Sequence, residues 1–192
     1  EVPGDFGCAQ PPIGNYFDKQ GVNGWYYAYG MPQKYLLMQW GFAYGNYVWS
    51  GDNPYQFISS DTIHPYGKWS SLKIWIAGFD GVIEIDGVIE RNSEEGDGTF
   101  ADIYHNNERI WWEQCDYTGY KTYEIKLIRR TVKKGDAIVF SIGTGPRYDE
   151  QGDGVKVTTN IYPVSIDSAY DPNEDLSEYL SLAANEAELE GV

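Results

Sequence analysis

WSSLKIWIAGFDGVIEIDGVIERNSEEGDGTFADIYHNNERIWW, residues 69–112, is the stretch whose pattern decides the fold. It contains two strand-like runs, 72–76 and 82–89, joined by Gly78-Phe79-Asp80-Gly81. After a polar turn at 92–98 comes a hairpin of 99–104 and 109–113, closed by His105-Asn106-Asn107-Glu108. Across 82–90 the period is two: Ile83, Ile85 and Ile89 fall on one face, Glu84, Asp86 and Glu90 on the other. That pattern belongs to a half-buried antiparallel strand in a sheet with one wet side.

The same reading extends outward. Downstream, 122–128 alternates, with Tyr123, Ile125 and Leu127 expected inward. Lys133-Lys134-Gly135-Asp136 is a turn between strands. Residues 136–142 put Ile138, Phe140 and Ile142 on one face, 143–154 form a long polar loop, and 155–161 make a last strand with Val155, Val157 and Ile161 inward. Upstream, an aromatic block at 25–29, 35–40 and 42–49 is cut into short strands by Gly24, Gly30, Gly41, Gly45 and Gly51. Short strands separated by turn signals predict an all-β fold, an antiparallel β-sandwich or jelly roll, at 25–166. Residues 1–24 read as an irregular arm. Residues 167–192 read as an acidic linker or a short helix: Asp171-Pro172 fits a helix start, and Leu176, Tyr179, Leu180 and Ala183 have a weak helical period. The linker is the preferred of the two.

The chain has 192 residues, the size of one domain with a substantial core. Its net charge of −15 argues against nucleic acid or an anionic membrane surface as partner. Eight acids and no Lys or Arg lie in 167–192, so about half of that charge belongs to the tail. No apolar run is long enough to span a bilayer. The start at Glu1 reads as that of a mature or excised fragment. Cys8 and Cys115 form either one disulfide, closing a loop of roughly 100 residues and worth about 4–5 kcal/mol, or two buried thiols.

Catalytic chemistry has thin support. Glu84, Asp86 and Glu90 invite comparison with a retaining glycosidase, whose two carboxyl groups stand about 5–5.5 Å apart. At about 3.3 Å per residue, Glu84 and Glu90 would be roughly 20 Å apart, so a solvated strand face explains them better. His64 and His105 are the only histidines, too few for a multi-His metal centre. The loop 147–154 clusters carboxylate and amide oxygens, including Asp149 and Asp153, of the hard kind that suits calcium. It is read either as a structural calcium site or as a solvated turn, and Glu94-Glu95-Gly96-Asp97-Gly98 is a weaker example.

The surplus of rings points elsewhere. Aromatics make up 16% of the chain, with 17 Tyr and 7 Trp, more than one sandwich core uses. Sugars present C–H faces that stack on rings, with polar neighbours taking the hydroxyls. In 109–113 unbroken alternation puts Trp111 with Arg109 and Glu113 on the exposed face, and Trp112 with Ile110 inside. Phe100, Asp102 and Tyr104 oppose Ala101 and Ile103, extending a polar–aromatic face across the hairpin. The candidate carbohydrate-binding residues are Trp111, Trp49, Trp40, Tyr44, Tyr47, Tyr26, Tyr104 and Asp102.

The order of signals from His64-Pro65 through 72–75, Asp80-Gly81, Gly96-Asp97-Gly98-Thr99, Ile110-Trp111 and Lys134-Gly135-Asp136 to the terminal loop and strand resembles the jelly-roll carbohydrate-binding modules attached to bacterial polysaccharide-degrading enzymes. The resemblance covers about half the chain and defines no ligand contact. It implies a non-catalytic, extracellular module, secreted or at the cell surface, taken from a larger multidomain protein. Its partner would be a plant cell-wall polysaccharide, a β-glucan or hemicellulose, and a structural calcium often accompanies such modules. A small jelly-roll glycoside hydrolase and an adhesin module without a glycan ligand are the alternatives.

Overall fold

The computed structural model describes residues 11–91, 93–115, 120–149 and 151–190. Its strands are β1 (Trp25–Met31), β2 (Lys34–Leu37), β3 (Gln39–Ala43), β4 (Asn46–Ser50), β5 (Phe57–Ile58), β6 (Thr62–His64), β7 (Ser70–Ile76), β8 (Gly81–Arg91), β9 (Thr99–His105), β10 (Glu108–Cys115), β11 (Lys121–Val132), β12 (Ala137–Thr144) and β13 (Val155–Ile166). They form two antiparallel sheets. The first runs β10-β9-β12-β7-β1-β2, the second β11-β8-β13-β6-β5-β4-β3. The β-sandwich read from the sequence is the fold observed.

Alternation sends every second side chain between the sheets. Ile83, Ile85 and Ile89 of β8, Val155, Val157 and Ile161 of β13, and Ile138, Phe140 and Ile142 of β12 all point inward, as expected. They meet Trp25, Tyr27, Tyr29 and Trp75 from the first sheet. Rings dominate the centre: Tyr27 lies nearly parallel to Trp49 at 4.8 Å, and Trp25 to Phe140 at 5.9 Å. Lys73 also points into this interior, with Nζ 5.5 Å from the centroid of Trp25. Burial pushes its ammonium down to about 7.

Two bulges overturn expectations drawn from unbroken alternation. In β10 the register shifts between Arg109 and Trp111, so Trp111 faces Ile103 and the core while Trp112 faces Asp102 on the outside. In β11 the shift between Ile125 and Ile128 puts Ile128 against the core and leaves Leu127 exposed. Each inserts residues into one strand of a pair and reverses every face beyond it.

The arm is irregular over 11–21, yet it closes one end of the sandwich. Ile13 N–H donates to the Ile161 carbonyl (2.8 Å), and Phe17 N–H donates to the Tyr27 hydroxyl (2.8 Å). The tail is a strap over the outer face of the first sheet. Tyr170 sets its ring edge on Phe79 at 5.2 Å, and Leu176 is buried with Tyr26, Tyr35, Leu72 and Ile74. Residues 181–183 then add to the free edge of β2: Tyr35 N–H donates to Ser181 O (3.1 Å), and Ala183 N–H to Tyr35 O (2.9 Å). A five-residue helix α1 (Glu186–Glu190) ends the described chain with Leu189 buried. In the 133–136 turn, Gly135 has φ 91, and a Cβ there would meet the Tyr179 ring of the strap at 2.5 Å. Cys115 is buried; Cys8 lies outside the described residues, and with it the question of their pairing.

Candidate functional site

The strap covers only part of the outer face of the first sheet. The rest is a groove of about 460 Å³. Strand register builds its floor in rows. Ser141 of β12 stands opposite Asp102 of β9, which stands opposite Trp112 of β10. In the next row Gly143 lies beside Phe100, and in the previous one Val139 lies beside Tyr104, itself opposite Arg109. Adjacent strands are about 4.8 Å apart, so a ring, a carboxylate and a hydroxyl sit side by side across the groove. Lys68, Met31 and Pro32 form the opposite wall, and Pro146 and Tyr148 close one end.

The polar groups are fixed in place. Arg109 donates to Asp102 (3.3 Å), and its guanidinium carbon lies 5.5 Å from the Trp112 ring centroid. Partial burial pushes the Asp102 carboxyl up, and Arg109 opposes the shift. The Tyr104 hydroxyl is raised by burial and then by Asp102. Trp112 is 56% exposed, and Tyr148 is exposed on a turn in which its N–H donates to Gly145 O (3.0 Å). On the far wall Lys68 pairs with Glu190 of α1 (2.9 Å) and lies 4.8 Å from the Trp69 ring. Such a site offers an apolar ring face to a C–H surface and fixed donors and acceptors to hydroxyls.

The residues expected from sequence separate into several places. Asp102 and Tyr104 line the groove. Trp111, expected at the surface, packs against the core because of the β10 bulge. Trp49 is 3% exposed; it stacks on Tyr27, and its indole N–H donates to Phe17 O (2.8 Å). Tyr26 does face out of the sheet but is buried beneath Leu176 of the strap. Trp40 is half-buried between Tyr16, Tyr47 and Trp49. Tyr44 and Tyr47 are exposed on the β3–β4 hairpin, away from the groove. Lys68, Ser141 and Tyr148 were not singled out from sequence; each reaches the groove through strand order that no local pattern encodes.

The carboxylates weighed for catalysis lie on β8, on the outer face of the second sheet. Glu84 pairs with Arg129 (3.0 Å), Asp86 accepts from the Asn160 amide (2.9 Å), and Glu90 is exposed. The acidic loops come together at one end of the sandwich. Asp97 and Asp153 are buried, and Oδ1 of each has no hydrogen-bond partner. A Cβ at Gly145 would fall 2.2 Å from Asp97 Oδ1, so only glycine fits where these loops close. Arg91 is buried beside them, with Nη1 3.7 Å from Asp153 Oδ1, and donates to Gly152 O (3.0 Å). Burial pushes the Asp153 carboxyl up to about 7; Gly145 N–H and Arg91 oppose this, while Asp97 and Asp149 add to it. Two buried carboxylate oxygens without hydrogen-bond donors are of the kind a hard cation takes, and Asp149 acts electrostatically on Asp153. Among the described residues, however, no three carboxylate, histidine or cysteine side chains converge into a ready-made metal cluster. Glu150 lies outside the described residues.

No protein-family model matches the chain, and no curated protein matches it in sequence. Similar solved structures include a CBM51 from Clostridium perfringens GH95 in complex with methyl-galactose, at 12% identity and TM-score 0.37, with 60% of this chain and 78% of that one covered. A ruminal GH26 endo-beta-1,4-mannanase is similar at 13% identity and TM-score 0.34, with 60% of this chain and 22% of that one covered. A family 35 carbohydrate binding module from an environmental isolate is similar at 16% identity and TM-score 0.32, with 60% and 83% covered. At these scores, what those proteins bind stays with those proteins.

Proposed function

We propose that the chain is a non-catalytic glycan-binding module that seats its ligand in the groove on the first sheet. The observation that carries this is the row of Ser141, Asp102 and Trp112, with Arg109 holding the last two. Rigid strands position an exposed ring beside hydrogen-bonding groups, which is how a binding surface keeps the entropic cost of association low. A plant cell-wall β-glycan, β-glucan or hemicellulose, is the ligand class we favour, because its extended chain presents flat C–H faces to an open groove. On this reading the module acts outside the cell as one part of a larger protein.

Affinity gels containing cellulose derivatives, xylan, glucomannan, xyloglucan or pectin test it. Retardation by at least one polymer without release of sugar is the expected result. Sugar release that disappears in Glu84→Ala or Asp86→Ala would make the chain a hydrolase instead, and no retardation by any polymer would leave the adhesin reading.

We also propose a structural calcium at the buried Asp97 and Asp153, with Asp149 at its margin, supported by the two carboxylate oxygens that lack donors. A cation that binds only the folded state at a hundred times its Kd contributes about 2.7 kcal/mol, a shift of roughly 5–10 °C in Tm for a chain this size. Calcium should raise the Tm over EDTA by that much in the wild type and not at all in Asp97→Asn. Equal melting in calcium and EDTA would mean that Arg91, beside Asp153, and Arg147, beside Asp97, balance the pocket without a cation.

A further inference from the structure

The groove does not end at its Lys68 wall. Lys68 is also a wall of a second hollow, of about 380 Å³, lined by Asp52, Asn53, Gln56, Tyr66 and Trp69. Beyond that hollow the rings continue. Tyr66 and Tyr55 are nearly parallel, 18° apart with centroids at 6.4 Å, and Tyr55 and Tyr44 follow at 6.3 Å. Tyr55 is 58% exposed and Tyr44 nearly as much, although Tyr44 is held by its hydroxyl, which donates to Pro54 O (2.7 Å). Ring, acid, amide and ammonium groups thus form one track from Trp112 over the edge of the sandwich to the β3–β4 hairpin. A compact ligand fills the groove alone and has no use for the remainder.

We propose that the site is an extended one that recognises internal stretches of a glycan chain, with Tyr66, Tyr55 and Tyr44 as outer subsites reached past Lys68. This rests on the groove being the glycan site. The rings offer stacking faces with hydroxyl tips, Asn53 adds a neutral amide, and Asp52 and Glu186 accept from sugar hydroxyls. The buried Gln56, donating to Trp69 O (3.1 Å), holds the hollow's floor in place. Between Tyr35 and Gly51 the sequence has no Asp, Glu, Lys, Arg or His, in a chain of net charge −15. That hairpin therefore suits a neutral chain better than a second copy of this acidic protein.

Isothermal titration with matched oligosaccharides tests the proposal: xylobiose against xylohexaose, cellobiose against cellohexaose, and mannobiose against mannohexaose, each on the folded full chain. The hexamer of the recognised series should bind at least tenfold more tightly than its dimer. Tyr55→Ala should remove most of that gain while dimer affinity stays within twofold. A longer ligand also gains from having more binding registers, and that gain would survive Tyr55→Ala. Equal dimer and hexamer affinities, or a length gain unchanged in Tyr55→Ala, overturn the extended site and leave the groove standing. Absence of binding by every oligomer and every polymer overturns the groove itself.

Discussion

Trp112→Ala is expected to abolish retardation in affinity gels while leaving the melting temperature within a degree or two of the wild type. The ring is more than half exposed, so its loss removes little buried area, yet it supplies the largest flat surface of the groove. Aromatic anchors at binding sites commonly account for about 2 kcal/mol or more, which is about thirtyfold in Kd. Its sequence neighbour gives the opposite result. Trp111 packs against the core, so Trp111→Ala should cost about 2 kcal/mol of stability, less than the ~3–5 kcal/mol typical of a fully buried ring, and lower the Tm by several degrees. Trp111→Ala should also keep glycan binding at temperatures where the protein is folded. Binding lost in Trp111→Ala and kept in Trp112→Ala would place the β10 bulge elsewhere and dismantle the groove as described.

That reversal shows how far the sequence could be read. The period of two carried the faces of β8, β12 and β13 correctly, because those strands contain no insertion across their apolar positions. It failed at Ile110 and again at Lys126-Leu127, where a bulge adds a residue and the bulged strand itself carries no glycine. The only sign of the second is Gly87 on the partner strand, opposite Ile125. Asp102 and Tyr104 were legible because both precede the bulge on an unbroken strand. Tyr26 was misread for a different reason. Its alternation is right, but the Leu176 that buries it lies far along the chain, and local pattern does not reveal such a contact. Lys68 and Tyr148 belong to turns, whose side chains join the site only once β7 and β12 are neighbours in the sheet.

The strap leads to the second large effect. Leu176→Ala should destabilise the protein by about 2–5 kcal/mol, read as a lower urea midpoint at unchanged slope. The side chain is 3% exposed and packs with Tyr26, Ala28, Tyr35, Leu72 and Ile74, so its removal leaves a cavity on the outer face of the first sheet. The charges of the tail do not account for its docking. Eight acids have to lie on a body that is itself acidic, and the ion pairs Lys34–Glu188 and Lys68–Glu190 are solvent-exposed, where such pairs contribute little. Glu188→Ala should therefore shift the midpoint far less than Leu176→Ala. Apolar contact and the hydrogen bonds of 181–183 to the β2 edge hold the strap, and it in turn buries a face that would otherwise be an open hydrophobic surface. A linker would behave differently: Leu176→Ala would leave the urea midpoint unchanged, and proteases would cut within 170–185 while the sandwich stayed folded. Either observation would remove the strap, and with it the Glu190 contact that anchors the Lys68 wall of the groove.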